Sequence, residues 1–128
     1  MDEKLLKHGS FCWFELMTTD INGSKDFYKK LFGWDLKDQP MGDFSYTVVN
    51  ANGDDVAGIM SMPKDSKDMP PTWGIYITVD NIEDTVKKAK ESGGTILVEP
   101  KDIPQIGKFA IIQDPQGAWF APIEYKGK

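Results

Sequence analysis

A chain of 128 residues with 40% hydrophobic and 12% aromatic content has enough apolar material for one packed domain, or for two small halves sharing an interior. A formal net charge of -5 with no basic run argues against nucleic acid, because phosphate contacts need clustered Lys and Arg. Cys12 is the single cysteine, so no internal disulfide and no cysteine pair for zinc can form.

The N-terminal MDEKLLKHGS is polar and lacks the apolar segment of a signal peptide, and no apolar run reaches the ~20 residues of a membrane span. The expectation is a soluble, cytoplasmic protein with no membrane and no nucleic-acid partner. Residues 1–10 read as an arm. Residues 11–18 read as a first strand. Its period of two puts Trp13, Glu15 and Met17 on one face and Cys12, Phe14 and Leu16 on the other. The second face reads as core. A carboxylate between Trp13 and Met17 is unusual for a solvent face. Cys12, opposite Glu15, reads as an inert core thiol.

Asp20, Asn22 or Ser24 can cap the helix that follows. Phe27, Tyr28, Leu31 and Phe32 make an apolar stripe at helical spacing, and Gly33 suits the position just past the helix end. A second strand starts at Trp34 and is expected to break at Pro40, Gly42 and Asp43. Strands follow at 44–49 and 56–62, around an Asn52-Gly53 turn. Residues 63–71 (PKDSKDMPP) are Pro-rich and polar and read as a linker.

After the linker the order restarts. Residues 73–79 read as a strand, and Asp80 or Asn81 caps a helix with Ile82, Val86 and Ala89 inward. Gly93-Gly94 ends it, 95–98 is a strand, and 99–107 is a Pro-containing connection. The closing stretch GKFAIIQDPQGAWFAPIEY is a hairpin. Pro115 presets φ in its turn, Gly117 accepts positive φ, and the Asp114 side chain can bond back to the turn amides. Ile21 and Ile82 open the two helices and Gly33 and Gly94 close them, at one offset (82 − 21 = 61, 94 − 33 = 61). The fold expected is α+β: two tandem βαβββ units forming a curled mixed sheet or open cup, with the helices outside. One domain is expected over 11–125, with unit one about 11–62 and unit two about 72–125.

The stretches FELMTTDINGSKDFYKKLFGWDL, WGIYITVDNIEDTVKKAKESGGTIL and GKFAIIQDPQGAWFAPIEY resemble the glyoxalase/bleomycin-resistance/extradiol-dioxygenase superfamily, the vicinal oxygen chelate fold. The Trp-x-Glu-Leu strand and the Asp-Pro-Gln-Gly turn look closest to its hydroxylase-like glyoxalase members. The resemblance implies metal-dependent isomerase, epimerase, dioxygenase or thiol-transfer chemistry in some members, metal-free drug binding in others, and a homodimer. In the metal-using members a His, Gln or Glu in the first strand of each unit and a donor near the end of each unit hold a divalent ion. Those positions fall here on Trp13, Gly74, Ala121 and Ala57 or Gly58, none of which can ligate through its side chain. The single histidine, His8, lies in the arm.

The reading is therefore no metal and no other cofactor. Trp13, Glu15, Met17, Met60, Tyr76, Thr78 and Trp119 are the expected ligand-binding residues, lining an aromatic cup for a flat, neutral or cationic organic molecule. Met62 and Ala121 are further lining candidates. Glu15 is the candidate acid/base, since a buried carboxyl with few partners can serve as either. Its bland alternative is a buried carboxylate bonded to Tyr76, Thr78 or water. The function expected is binding of a small organic molecule. The alternative is a lyase, isomerase or dioxygenase-type enzyme, metal-dependent through displaced ligands or metal-free with Glu15. A third possibility is an interaction domain whose interior is fully packed.

Overall fold

The computed structural model describes residues 2–41, 44–62 and 70–127, without the side chains of Met41, Phe44 and Ser45. Most of the linker expected at 63–71 lies outside these residues, as do Gly42 and Asp43. The chain divides into two compact units, Trp13–Gly74 and Met1–Cys12 joined by Ile75–Lys128. Their elements are β1 (Phe11–Thr18), α1 (Ile21–Phe32), β2 (Asp35–Met41), β3 (Phe44–Ala51), β4 (Asp54–Ser61), β5 (Thr72–Thr78), α2 (Ile82–Glu91), β6 (Thr95–Ile103), β7 (Gly107–Gln113) and β8 (Trp119–Tyr125). The class is α+β, built from two βαβββ units.

In the unit Trp13–Gly74 the strands lie in the order β2-β3-β4-β1. β1 runs parallel to β4, and the other neighbours are antiparallel. Parallel neighbours need a long crossover, and it begins with α1. Asp20 caps α1 by accepting from the Gly23 N–H at 3.0 Å. Gly33 ends it at φ +68°, where a side chain would be strained. Leu16, Val49, Ala57 and Ile59 form the core under α1, with Ile21, Tyr28, Trp34 and Leu36 packed against them. Lys25 and Thr47 both donate to the Asp38 carboxylate, at 2.9 and 2.7 Å, and these bonds hold its pKa below the ordinary value. This clasp ties α1 to β2 and β3.

In the other unit the order is β5-β8-β7-β6, with β5 parallel to β8. Asn81 caps α2, accepting from the Asp84 N–H at 2.9 Å. Acidic side chains in the first turn and lysines in the last suit the helix dipole. Val79, Ile82, Val86, Ala110 and Ile112 form this core, joined by Ala89, Ile96 and Phe120. The arm is bonded to this unit. Gly9 N–H donates to the Thr78 carbonyl and Thr78 N–H to the Ser10 carbonyl, both at 2.8 Å. Thr78 Oγ1 donates to the Leu5 carbonyl.

The structure departs from the sequence reading in three places. Pro40 does not end β2, because β2 bonds only to β3 in its unit and the missing N–H can face away from the ladder. Residues 99–103 continue β6 through Pro100, at the outer position of the other unit, where register shifts at 96–98 and 98–101 absorb the misfit. Phe14, read as core, is 44% exposed, and of the α1 stripe Tyr28 packs against the core while Phe27, Leu31 and Phe32 are 56 to 58% exposed.

The Asp114 turn forms as read. Asp114 Oδ1 accepts from the Gln116 and Ala118 N–H groups at 2.9 Å each, and Gly117 sits at φ +100°. Asp114→Ala strands two amides at the turn. It is expected to lower stability in urea unfolding by about 1–2 kcal/mol, while Asp114→Asn keeps most of it.

Candidate functional site

β1 alternates, so Trp13, Glu15 and Met17 share the face opposite the α1 core residue Leu16. The parallel register with β4 pairs Glu15 with Gly58 and Met17 with Met60. Ala57 and Ile59 belong to the α1 side, which leaves Gly58 and Met60 on the Glu15 side. Trp13, Glu15, Met17 and Met60 therefore meet on one face of one unit. Glu15 and Met17 are buried, and Trp13 and Met60 are half-buried.

Tyr46 on β3 completes this face. The Trp13 Nε1–H donates to the Tyr46 hydroxyl at 2.9 Å, and that hydroxyl donates to Glu15 Oε2 at 2.7 Å. Indole, phenol and carboxyl thus form one directed chain of hydrogen bonds. Gly58 makes room for it: a methyl group built there would overlap the Tyr46 ring and hydroxyl. The sequence reading offered Tyr76, Thr78 or water as partners of Glu15 and missed Tyr46. The available signal was the period of two in 44–49, but only the β3–β4 register shows that Tyr46 falls on the Glu15 side.

Tyr76, Thr78 and Trp119 lie in the other unit. Tyr76 pairs with Ala121 and Thr78 with Ile123, on the face opposite the α2 core residue Phe120. Tyr76 and Thr78 are buried, and the Tyr76 ring lies 6.3 Å from that of Phe109. Trp119 pairs with Gln113 at the hairpin end and is 37% exposed. Met62 is half-buried in the unit of Glu15, and Ala121 is buried. Cys12 is buried and accepts from the Tyr125 hydroxyl at 3.1 Å. Burial, and then this bond to the thiol, push the Tyr125 pKa above its ordinary value.

The positions that the resemblance points to for a metal, Trp13, Gly74, Ala121 and Ala57 or Gly58, carry no carboxylate, imidazole or thiolate side chain. Among the described residues no group of three or more His, Cys, Asp or Glu could hold a metal ion. Among them, too, no helix is long and apolar enough to cross a membrane. An open groove of about 470 Å³ is lined by Asp80, Glu124, Tyr125, Lys126 and Gly127, and it holds none of the expected site residues.

Paired βαβββ units carrying polar side chains on the sheet face away from the helix define a class of small α+β proteins. Residues 10–121 match the Glyoxalase/Bleomycin resistance protein/Dioxygenase superfamily, and the chain belongs to that family. It is 38% identical over 115 residues to CFP32 of Mycobacterium tuberculosis, provisionally named a glyoxylase, covering 88% of this chain and 44% of that protein. It is 31% identical over 128 residues to the anthracycline biosynthesis protein DnrV of Streptomyces peucetius, covering 88% of this chain and 46% of DnrV. The chain thus spans less than half the length of these relatives. Methylmalonyl-CoA epimerase from Mycobacterium tuberculosis has a similar fold, with a TM-score of 0.63 at 15% identity over 98% of this chain and 93% of that one. A variant of the Streptomyces coelicolor epimerase, in complex with 2-nitronate-propionyl-CoA, gives 0.65 at 10% identity over 94% of this chain and 100% of that one.

The fit of Tyr46 over Gly58 is open to a double-mutant cycle. Gly58→Ala is expected to destabilise the protein by about 1–3 kcal/mol through overpacking. In a Tyr46→Ala background the same change becomes nearly neutral, because the overlapping ring is gone. Urea unfolding of the four proteins reads the coupling.

Proposed function

We propose that this chain binds a small organic molecule, without a metal, on the sheet face that carries Trp13, Tyr46 and Glu15. The observation that carries the reading is the bonded chain from the Trp13 indole through the Tyr46 hydroxyl to the buried Glu15 carboxyl. Folding has buried the Glu15 carboxyl and fixed the directions of all three groups, with Trp13 and Tyr46 still partly exposed, which suits recognition. Met17 and Met60 flank them with soft, adaptable apolar surface. A flat molecule with a neutral donor or a cationic group fits this chemistry: rings to stack on, and a carboxyl and phenol to bond. Tyr76, Thr78 and Trp119 are proposed as ligand contacts on the other unit's own sheet.

A thermal-shift screen of flat neutral and cationic compounds tests this. A compound present at about 100 times its Kd adds about 2.7 kcal/mol of stability and raises Tm accordingly. The Kd of such a binder is expected to rise about tenfold or more in Glu15→Gln and in Tyr46→Phe. The reading fails if no compound stabilises the protein while added nickel, zinc, manganese or iron does. It fails equally if every binder ignores both substitutions.

The 2.7 Å bond between Tyr46 and Glu15 favours a second reading, in which the pair moves a proton on the bound molecule as acid and base. This is the lyase or isomerase class of chemistry without a metal. Glu15→Gln is then expected to lower kcat by about 10²–10⁴-fold with little change in KM. An unchanged kcat in that variant would remove Glu15 from the chemistry.

A further inference from the structure

We propose that Asn52 is a site of spontaneous backbone modification, converting to isoaspartate at the tip of the β3–β4 hairpin. The chain has two Asn-Gly pairs, Asn22-Gly23 and Asn52-Gly53, and the fold protects the first while it leaves the second open. In the reaction the Gly53 backbone nitrogen attacks Asn52 Cγ. A bond forms between them, and the bond from Cγ to the side-chain amide nitrogen breaks. That nitrogen leaves as ammonia, taking the proton of the Gly53 N–H, and a succinimide ring remains. Water then opens the ring. Cleavage beside the Asn52 main-chain carbonyl routes the backbone through Cβ as isoaspartate, and cleavage beside Cγ gives ordinary aspartate. One water enters and one ammonia leaves, with no change of oxidation state. Glycine after the asparagine matters because no side chain crowds the attacking nitrogen.

The two pairs share a sequence and differ in structure. Asn52 sits at φ +56° and Gly53 at φ +91°, the positive angles of a type I′ hairpin turn. Both are exposed. Among the described residues, nothing lies within 4 Å of where a Gly53 side chain would stand. The Gly53 N–H donates to Asn50 Oδ1 at 3.2 Å, an exposed bond to a side chain. Breaking it frees the nitrogen and leaves the strand ladder intact. Asn22-Gly23 lies instead in the first turn of α1. The Gly23 N–H donates to the capping Asp20 Oδ1 at 3.0 Å, and the Ser24 N–H donates to the Asp20 carbonyl at 3.0 Å. A methyl group built on Gly23 would overlap the Asp20 carboxylate, so the cap covers this glycine. Freeing its nitrogen requires loss of the cap and fraying of the helix start.

The other unit offers a comparison. Its corresponding turn carries Gln116-Gly117 (116 − 52 = 64, 117 − 53 = 64). A glutamine must close a ring one atom larger, which is far slower, so the fold does not require the reactive residue at this place. The product has a structural consequence in the unit that does carry it. Isoaspartate adds a methylene to the backbone and a negative charge beside Asp54 and Asp55. A two-residue turn fixes the register of the strands it joins and has no slack for the extra atom. Ala51 pairs with Asp54, Asn50 with Asp55 and Val48 with Gly58, and Gly58 is the residue over which Tyr46 fits. Conversion at Asn52 therefore loosens, from its tip, the hairpin that seats Tyr46.

Ageing of the full chain in warm, mildly alkaline buffer tests the inference, since the attacking nitrogen must lose its proton. Digested samples are followed by tandem mass spectrometry, and isoaspartate is scored by labelling with an isoaspartate-specific methyltransferase. Conversion at Asn52 is expected to be about tenfold or more faster than at Asn22 in the folded protein. In guanidinium, where neither pair is held, the two rates are expected to converge. Asn52→Gly keeps a residue that accepts positive φ and is expected to abolish the label at the turn. Aged wild type, but not aged Asn52→Gly, is expected to gain a fraction that unfolds at lower Tm. Equal conversion of Asn22 and Asn52 in the folded protein overturns the inference. So does an Asn52 that stays intact in the folded protein while it converts in guanidinium.

Discussion

The parallel pairing of the first and last strand of each unit is the constraint on which the structure depends. Two parallel neighbours cannot be joined by a tight turn, so the chain must cross over, and a helix is the compact way to begin. That crossover places α1 and α2 each on one face of its own sheet and commits the other face to a different role. The register does the rest. It sets Glu15 against Gly58 and Met17 against Met60 in one unit, and Tyr76 against Ala121 and Thr78 against Ile123 in the other. A slip of one residue would turn Glu15 toward the apolar core under α1, where a carboxylate has no partner.

The two units share a backbone plan and differ in chemistry. In Trp13–Gly74 the missing side chain at Gly58 is the space that the Tyr46 phenol occupies, so a carboxyl, a phenol and an indole close on one another. In the other unit the corresponding strand pair carries Tyr76 and Ala121, and the Tyr76 ring lies 6.3 Å from that of Phe109. The outward surfaces differ in the same way: α1 is aromatic where α2 is charged. Each repeat thus acts as a reference for the other and separates what the fold requires from what one unit has acquired. Fold likeness alone cannot carry a function across a superfamily with many chemistries, so weight falls on the side chains that depart from the shared plan.

The sequence by itself determined the frame. Strand periodicity, the Asp20 and Asn81 caps, Gly33, the Asp-Pro-Gln-Gly turn and the 61-residue repeat are local signals, each read from neighbours in the chain, and they give the two βαβββ units. Alternation along a single strand was enough to put Trp13, Glu15 and Met17 together. Tertiary structure decided what depends on pairing between distant segments. Tyr46 is 31 residues from Glu15, and only the registers of β1 with β4 and of β3 with β4 bring their side chains to 2.7 Å. Pro40 and Pro100 look like strand breakers until the outer position of β2 and β6 in each sheet removes the demand on their missing N–H. The apolar stripe on α1 has helical spacing whether it faces the core or the solvent. Which way it turns is set by where the sheet lies, and that is not written in the helix.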